Sequence, residues 1–529
     1  MEVKYKINSR LLILLMLGTI MTCSAFLMFV YHPLQLIIKK VATLAPGTIF
    51  TKLWSAPPYS VYIDTFIFNV TNSEEFLAGK EKLKVVQVGP YVYQEILLNN
   101  NATFNEDGTM TFQPRRYLKF QREMSVGDPK EDRIISPNIP LLGITASLEN
   151  DFFANLAVSG ISKALNTQSF LNLSVAEYLW GYDDQLVTLA HKAIPSWINF
   201  ERFGILDRLM ALDNASNIVT LNLHPDKVSA SPILTEAERL AVYHIHRWNG
   251  SPGLKHWGYI DSDEPVATNS RCNMVEGAFD GTVFPPNVGE NTTLKMYRRA
   301  FCRPVPFNYK EPIQTKTGHS GLIFEVDPLF LATPKENPEN SCYCVKGKCP
   351  LKGLGSLSPC YYDIPIMISQ PHFYNAHPVL LQQIEGMQPN KEDHDSYFVL
   401  QPQLGVPIEA SLKIQINLDI GQTRYNAKTE PFNGLVLPLF WLQMRLGDIP
   451  HEINLLITIL FQVLPVVQQI LIYLLGLCGL GLMSASALLA LFVSRDETNG
   501  RLSFRGDYSP IPIIPINSPY FKPDVRILK

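Results

Sequence analysis

Two long uncharged apolar runs stand near the ends of the chain, and between them apolar and polar residues alternate over many short stretches. Residues 11–31, LLILLMLGTIMTCSAFLMFVY, and 470–493, ILIYLLGLCGLGLMSASALLALFV, are each long enough to cross a hydrocarbon layer of roughly 30 Å as a helix. The first exceeds the apolar core of roughly 7–15 residues in a signal peptide, so it is read as an uncleaved anchor. In the middle, SVYIDTFIFNV (60–70), KVVQVGPYVYQEI (84–96), GTMTFQP (108–114) and SLKIQINLDI (411–420) show the period-two pattern of strands. Asp107-Gly108 marks a hairpin turn between two of them. From about 140 to 215 the period lengthens, through ITASLENDFFANLAVSGISKALN and SVAEYLWGYDDQLVTLAHKA. There Leu148, Phe152, Leu156 and Ser159 fall on one helical stripe, and of the adjacent Phe152 and Phe153 only one can face the core of a single helix.

The pattern predicts an α+β protein: two transmembrane helices flanking a large, mainly antiparallel β body at 32–469 with a helical insertion at about 140–215. Short tails, 1–10 and 494–529, complete the chain. Charge sets the direction of the spans. Arg495, Arg501 and Arg505 follow the second run, and no Lys or Arg lies between Arg445 and its start. Cationic residues stay on the cytosolic side, which makes both tails cytosolic. Lys4, Lys6 and Arg10 before the first span lean the same way against Lys39 and Lys40. Asn-x-Ser/Thr acceptors at Asn69, Asn101, Asn172, Asn214, Asn249 and Asn291 all fall between the spans, as expected of an extracytosolic domain.

A net charge of −3 without a long Lys/Arg run argues against a nucleic-acid partner. The eight cysteines divide by place. Cys23 and Cys478 sit in the spans; Cys272, Cys302, Cys342, Cys344, Cys349 and Cys360 lie between them. SCYCVKGKCP (341–350) would read as a zinc site in the cytosol, but outside it the same residues belong to a disulfide framework. Cys342 and Cys344 are too close in sequence to bond to each other without strain, which leaves the other pairings open. Catalytic signals are sparse. GHSG (318–321) lacks the spacing of a nucleophile elbow. His244, His246 and His256 have no carboxylate at metal-ligand spacing, and structural or solvent-facing roles are expected of them. His394 falls in what reads as a polar loop, NKEDHDSYF. No enzymatic activity, cofactor or metal is predicted.

Several stretches follow, in order, the landmarks of a known family: PGTIFTKLW, FNVTNSEEFLAG, VGPYVYQE, YLWGYDD, CNMVEGAFDGTVFPP, CYC and QPNKEDHDSYFVLQPQLGVPIEASLKIQINL. Across roughly 46–440 and both spans the chain resembles the class B scavenger receptors. The resemblance implies a β-barrel-like ectodomain with an apical helical bundle and an internal apolar tunnel. It also implies the pairs Cys272–Cys342, Cys302–Cys360 and Cys344–Cys349, and partners among lipids, fatty acids, sterols or lipoproteins. Phe152, Phe153 and Lys163 fall in its ligand-capturing apical region. Lys163 is about one residue out of register, counted back from Trp180, with the lysine that captures carboxylates in some members. FGILDRLMALDNAS (203–216) is longer and more charged than the family's stretch there, so ligand preference does not carry over directly.

In the Pro-rich tail, Tyr508-Ser-Pro-Ile511 fits a Tyr-x-x-apolar endocytic signal for a clathrin adaptor, with Tyr508 and Ile511 as its anchors. The expected function is a receptor passing apolar ligands toward the membrane, at the plasma membrane, the endosome–lysosome membrane, or both. The alternative is an endolysosomal sorting receptor that escorts a soluble protein.

Overall fold

The computed structural model describes residues 9–499 except 42, 197, 215–216, 224–235, 263, 265 and 424, so Tyr508 and Ile511 lie outside the described residues. Two compact units emerge: residues 38–460, and a unit formed by the stretches on either side of them.

In the flanking unit, helix Ser9–Tyr31 packs antiparallel against helix Leu464–Asn499. Small residues let the backbones approach, as they do where lipid offers no hydrophobic drive for association. A Cβ on Gly479 would stand 2.4 Å from the Thr22 hydroxyl and 2.9 Å from the Gly18 carbonyl oxygen. Around this seam Phe26, Tyr473 and Leu477 point outward and are exposed, an apolar surface suited to lipid. Both helices are long and apolar enough to span a membrane, so the chain has two candidate spans, Ser9–Tyr31 and His451–Phe492. The second begins before residue 470 because the text from Leu455 up to that residue is mainly apolar, with Thr458, Gln462, Gln468 and Gln469 as its uncharged polar residues.

The 38–460 unit is built on one large sheet. Its main path runs Thr293–Met296, Val305–Gln314, Ser320–Val326, Tyr397–Gln401, Val406–Asp419, Val436–Leu446, Val61–Val70, Leu83–Phe104, Thr109–Phe120, Val219–Asn222 and Ile245–Trp248. Every pairing along this path is antiparallel. The four expected strands are present, three of them longer than their alternating text. Thr109–Phe120 continues through Pro114, which pairs with Asn99. Beyond Phe112 the other edge of that strand carries no ladder, and a proline is tolerated there. At the expected hairpin turn, Gly108 has φ +85° and the Asp107 carboxylate accepts the Thr109 N–H at 3.0 Å.

Among the described residues no ladder joins the two end strands, and the sheet they form is not a closed barrel. A segment outside the named strands lies between them. Ile245 N–H donates to the Ala278 carbonyl at 2.7 Å. One residue on, Phe279 N–H donates to Lys295 O at 2.7 Å and Phe279 O accepts from Tyr297 N–H at 2.8 Å. Ala278–Phe279 therefore takes hydrogen-bonding positions beside both ends of the sheet.

The central strands are apolar on both faces: Ile67 and Phe440, paired across neighbouring strands, lie on one, and Phe68 and the stacked Phe66–Trp441 pair, 4.0 Å between ring centres, lie on the other. A second cluster stacks Phe284, Phe398 and Phe324 in near-parallel planes. The insertion is helix-rich as expected: Ile139–Ser147, Phe152–Ala164, Val175–Trp180, Gln185–Ala193 and Ile205–Asn214. The single helix expected over the first stretch is broken at 148–151, where Asp151 caps a new helix by accepting Ala154 N–H at 2.9 Å. The break overturns the predicted stripe. Phe152 and Leu156 face solvent, and Asn155, Val158 and Ser162 are buried in their place. Ser174 and Glu177 form a reciprocal capping box that starts Val175–Trp180. Gly181, at φ +141°, ends that helix.

Candidate functional site

Four cavities follow the inner face of the sheet. The first, about 940 Å³ of free space, lies between helices Ile139–Ser147, Gln185–Ala193 and Ile205–Asn214 and the strand residues Ile366 and Ile416. Its wall is aliphatic and aromatic, and Arg208 is its one charged lining residue. That guanidinium stacks 4.5 Å over Phe200 and pairs with Asp207, so its charge is already engaged. One side-chain repeat along the same two strands, Ile368 and Ile414 line a second cavity of about 580 Å³. Met296, Leu412 and Met444 line both this space and a third of about 1320 Å³. Pro58, Tyr59, Thr282, Pro407 and Leu446 line the third and also a fourth of about 960 Å³. The fourth is walled in part by residues from 49–54 and from 449–460, the latter overlapping the start of the second candidate span.

The third cavity differs in chemistry. Glu95 is buried there, with its two oxygens 3.4 Å from Arg116 and 3.3 Å from Arg298. Asp280 lines the same space, accepting from the Thr282 N–H and hydroxyl; burial raises its carboxyl pKa. Burial first, then the nearby Asp280 and Glu95 charges, pushes the Tyr59 hydroxyl up to about 12. Two carboxylates and two guanidinium groups thus form a charge-balanced belt in an otherwise apolar row.

Phe152 and Phe153 are both exposed, Phe153 at 80%, and Phe152 packs edge-on against Tyr425. Lys163 is exposed near the end of the same helix. None of the three lines a cavity described above. The cysteine sulfurs lie at bonding distance in the pairs 272–342, 302–360 and 344–349, with Cα separations of 6.0, 5.9 and 4.2 Å. From the short 344–349 loop, Lys348 pairs with Glu149 beside the helical insertion. Asn101, Asn172, Asn249 and Asn291 are exposed, whereas Asn69 is half-buried and accepts from Ile135 N–H at 2.8 Å. Asn214 ends a helix, and its side chain lies outside the described residues.

The histidines depart most from expectation. His394 is buried, not in a solvated loop, and its ring stacks on His372 at 4.6 Å beside Trp441. His372 Nδ1 accepts from Gln388 N–H and its Nε2 meets Gln87 Oε1 at 2.7 Å. Burial lowers both imidazoles, His372 to about 4. His319 of GHSG is buried in the tight turn joining Val305–Gln314 to Ser320–Val326, which is not the strand-to-helix turn of a nucleophile elbow. His256 lies against Cys302 and Cys360, whose sulfurs are committed to each other. His244 and His246 do have a carboxylate neighbour: Glu276, thirty positions after His246, and invisible to a search by spacing.

The sequence comparisons agree with this architecture. The family model described as the CD36 family matches residues 11–490. Scavenger receptor class B member 1 of Bos taurus is 28% identical over 412 residues, which cover 77% of this chain and 75% of the relative. Its counterpart in Cricetulus griseus is 28% identical over 460 residues, 85% of this chain and 82% of the relative. Lysosome membrane protein 2 of Rattus norvegicus is 30% identical over 407 residues, 77% and 78% of the two chains. With two helices fit to span a membrane on either side of a large antiparallel sheet, and a family match over nearly its whole length, the chain belongs to the CD36 family of class B scavenger receptors.

Proposed function

We propose that this membrane receptor takes up apolar ligands (fatty acids, sterols or lipids carried by lipoproteins) at an apex formed by the helical insertion. It then passes them through a tunnel inside the barrel-like sheet toward the bilayer. The row of cavities carries this reading, because successive spaces either share lining residues or lie one side-chain repeat apart on the same strands. Each methylene kept from water is worth about 0.8 kcal/mol, so a continuous apolar path competes with a carrier particle. Exposed Phe152, Phe153, Leu156 and Tyr425 offer a first contact, and Lys163 an anchor for a carboxylate.

Both tails are placed in the cytosol and the 32–469 domain outside it, glycosylated at the exposed acceptors. Tyr508 and Ile511 then face the clathrin adaptors. Substituting Leu412→Trp, at a position shared by two cavities, should block passage while leaving ligand bound at the cell surface. Unchanged uptake by a correctly displayed Leu412→Trp receptor overturns the tunnel. The likeness to a lysosome membrane protein supports a second reading, a sorting receptor for a soluble protein. In cells lacking the receptor, secretion of a hydrolase with lipid uptake intact would favour that reading over the first.

A further inference from the structure

His244 and His246 flank Ile245, and the Ile245 N–H bond to Ala278 fixes a tight turn beside them. That turn closes through Ala278 N–H to Val275 O at 3.1 Å, with Gly277 at φ +83°. Its other side is held by Val275 and Glu276, whose N–H groups both donate to the Pro252 carbonyl at 3.0 and 3.2 Å. Together these bonds bring one ring nitrogen of each histidine and a Glu276 carboxylate oxygen within 4.8 Å of one another. His246 Nδ1 already stands 3.6 Å from Glu276 Oε1. Bonds of about 2.0–2.1 Å in a tetrahedral site place ligand atoms about 3.3–3.4 Å apart, so this pair needs to close only slightly.

We propose that His244, His246 and Glu276 bind a divalent transition metal of the Zn²⁺ type, with water completing a tetrahedral shell. Two imidazoles and one carboxylate suit a borderline ion, whereas Ca²⁺ and Mg²⁺ favour all-oxygen shells. The site is open to solvent, with the His246 and Glu276 side chains 36% and 43% exposed. An ion pair between Glu276 and a protonated His246 would account for those two residues. It leaves His244, in the same cluster, without a role. Bound there, the ion ties the Ile245–Trp248 strand to the segment that bridges both ends of the sheet.

The test uses full-length protein in detergent micelles with its disulfides intact. Co²⁺ titration should give the visible bands of a tetrahedral site at one equivalent, abolished by Zn²⁺, and Zn²⁺ should raise the thermal midpoint. His244→Gln, His246→Gln and Glu276→Gln should each weaken binding by at least tenfold, about the loss seen even for residues one shell further out. Their metal-free midpoints should stay near the parent's. Absence of Co²⁺ bands from the parent protein at millimolar metal overturns the site, whatever the variants do. So does undiminished binding by the His244→Gln/His246→Gln double variant.

Discussion

Arg298 reaches across 203 positions of sequence to hold Glu95 at 3.3 Å inside the third cavity, with Arg116 on the other oxygen of the same carboxylate. Removing one member of a buried ion pair costs about 3–5 kcal/mol, because the charge left behind stays desolvated. Glu95→Gln should therefore lower the thermal midpoint by several degrees, and Glu95→Leu, which takes the carboxylate from both guanidinium groups, should lower it at least as far. Differential scanning fluorimetry on purified protein measures both.

The closeness of Thr22 and Gly479 gives a direct test of the helix pair. A Cβ at position 479 would stand 2.4 Å from the Thr22 hydroxyl oxygen, one bond from the Thr22 Cβ, so the two side chains start within reach of a disulfide. Thr22→Cys with Gly479→Cys should cross-link in native membranes on mild oxidation. After proteolytic cleavage between the helices, the two fragments should migrate together until reduced. Gly479→Leu, which drives a large side chain into Thr22 and Gly18, should reduce the yield of folded receptor.

The disulfides should rank by the loop each one closes. In the chain-entropy model, a loop of 58 residues at Cys302–Cys360 stabilises by about 4 kcal/mol. The loop of 5 at Cys344–Cys349 gives about 2 kcal/mol. Replacing both cysteines of each pair with alanine and comparing urea midpoints should reproduce that order.

Acid should weaken the fold. His372 and His256 are held down to about 4 and His394 is lowered, in each case chiefly by burial. Around the stacked pair, Asp393 favours protonation of both rings, and Lys413 opposes it at His394. An unfolded histidine titrates near about 6.5, so as pH falls below that value the unfolded chain binds protons that the folded one refuses. Stability contributed by the neutral rings is full above about 6.5 and lost on acidification, levelling off for His372 and His256 once their folded rings protonate near about 4. The thermal midpoint should drop between about pH 7 and about pH 5. His372→Gln should flatten that slope even if its midpoint at neutral pH is lower.

Elements defined by short-range pattern were legible in the sequence. The apolar runs became Ser9–Tyr31 and the core of Leu464–Asn499, and the alternating texts at 60–70 and 411–420 became strands. What failed depended on partners distant in sequence. The stripe through Phe152 and Leu156 assumed a continuous helix, but Asp151 starts a new one and turns those residues outward. His394 reads as polar until His372 and Trp441 arrive from other parts of the chain to bury it. Glu276 is likewise remote from His244, and only the hydrogen bond from Ile245 to Ala278 brings their segments together. The buried Glu95–Arg116–Arg298 group has no local signature, since each member sits in a strand or loop whose neighbours look unremarkable.

The bridge at Ala278–Phe279 gives the sheet a clasp in place of a weld. Three backbone hydrogen bonds, contributed by only two residues, span the gap where a ladder would otherwise distribute the load. Those bonds join strand Ile245–Trp248 to strand Thr293–Met296, so a substitution that displaces Ala278 or Phe279 loosens the link between the two ends of the sheet while the ladders between the other strands stay as they are.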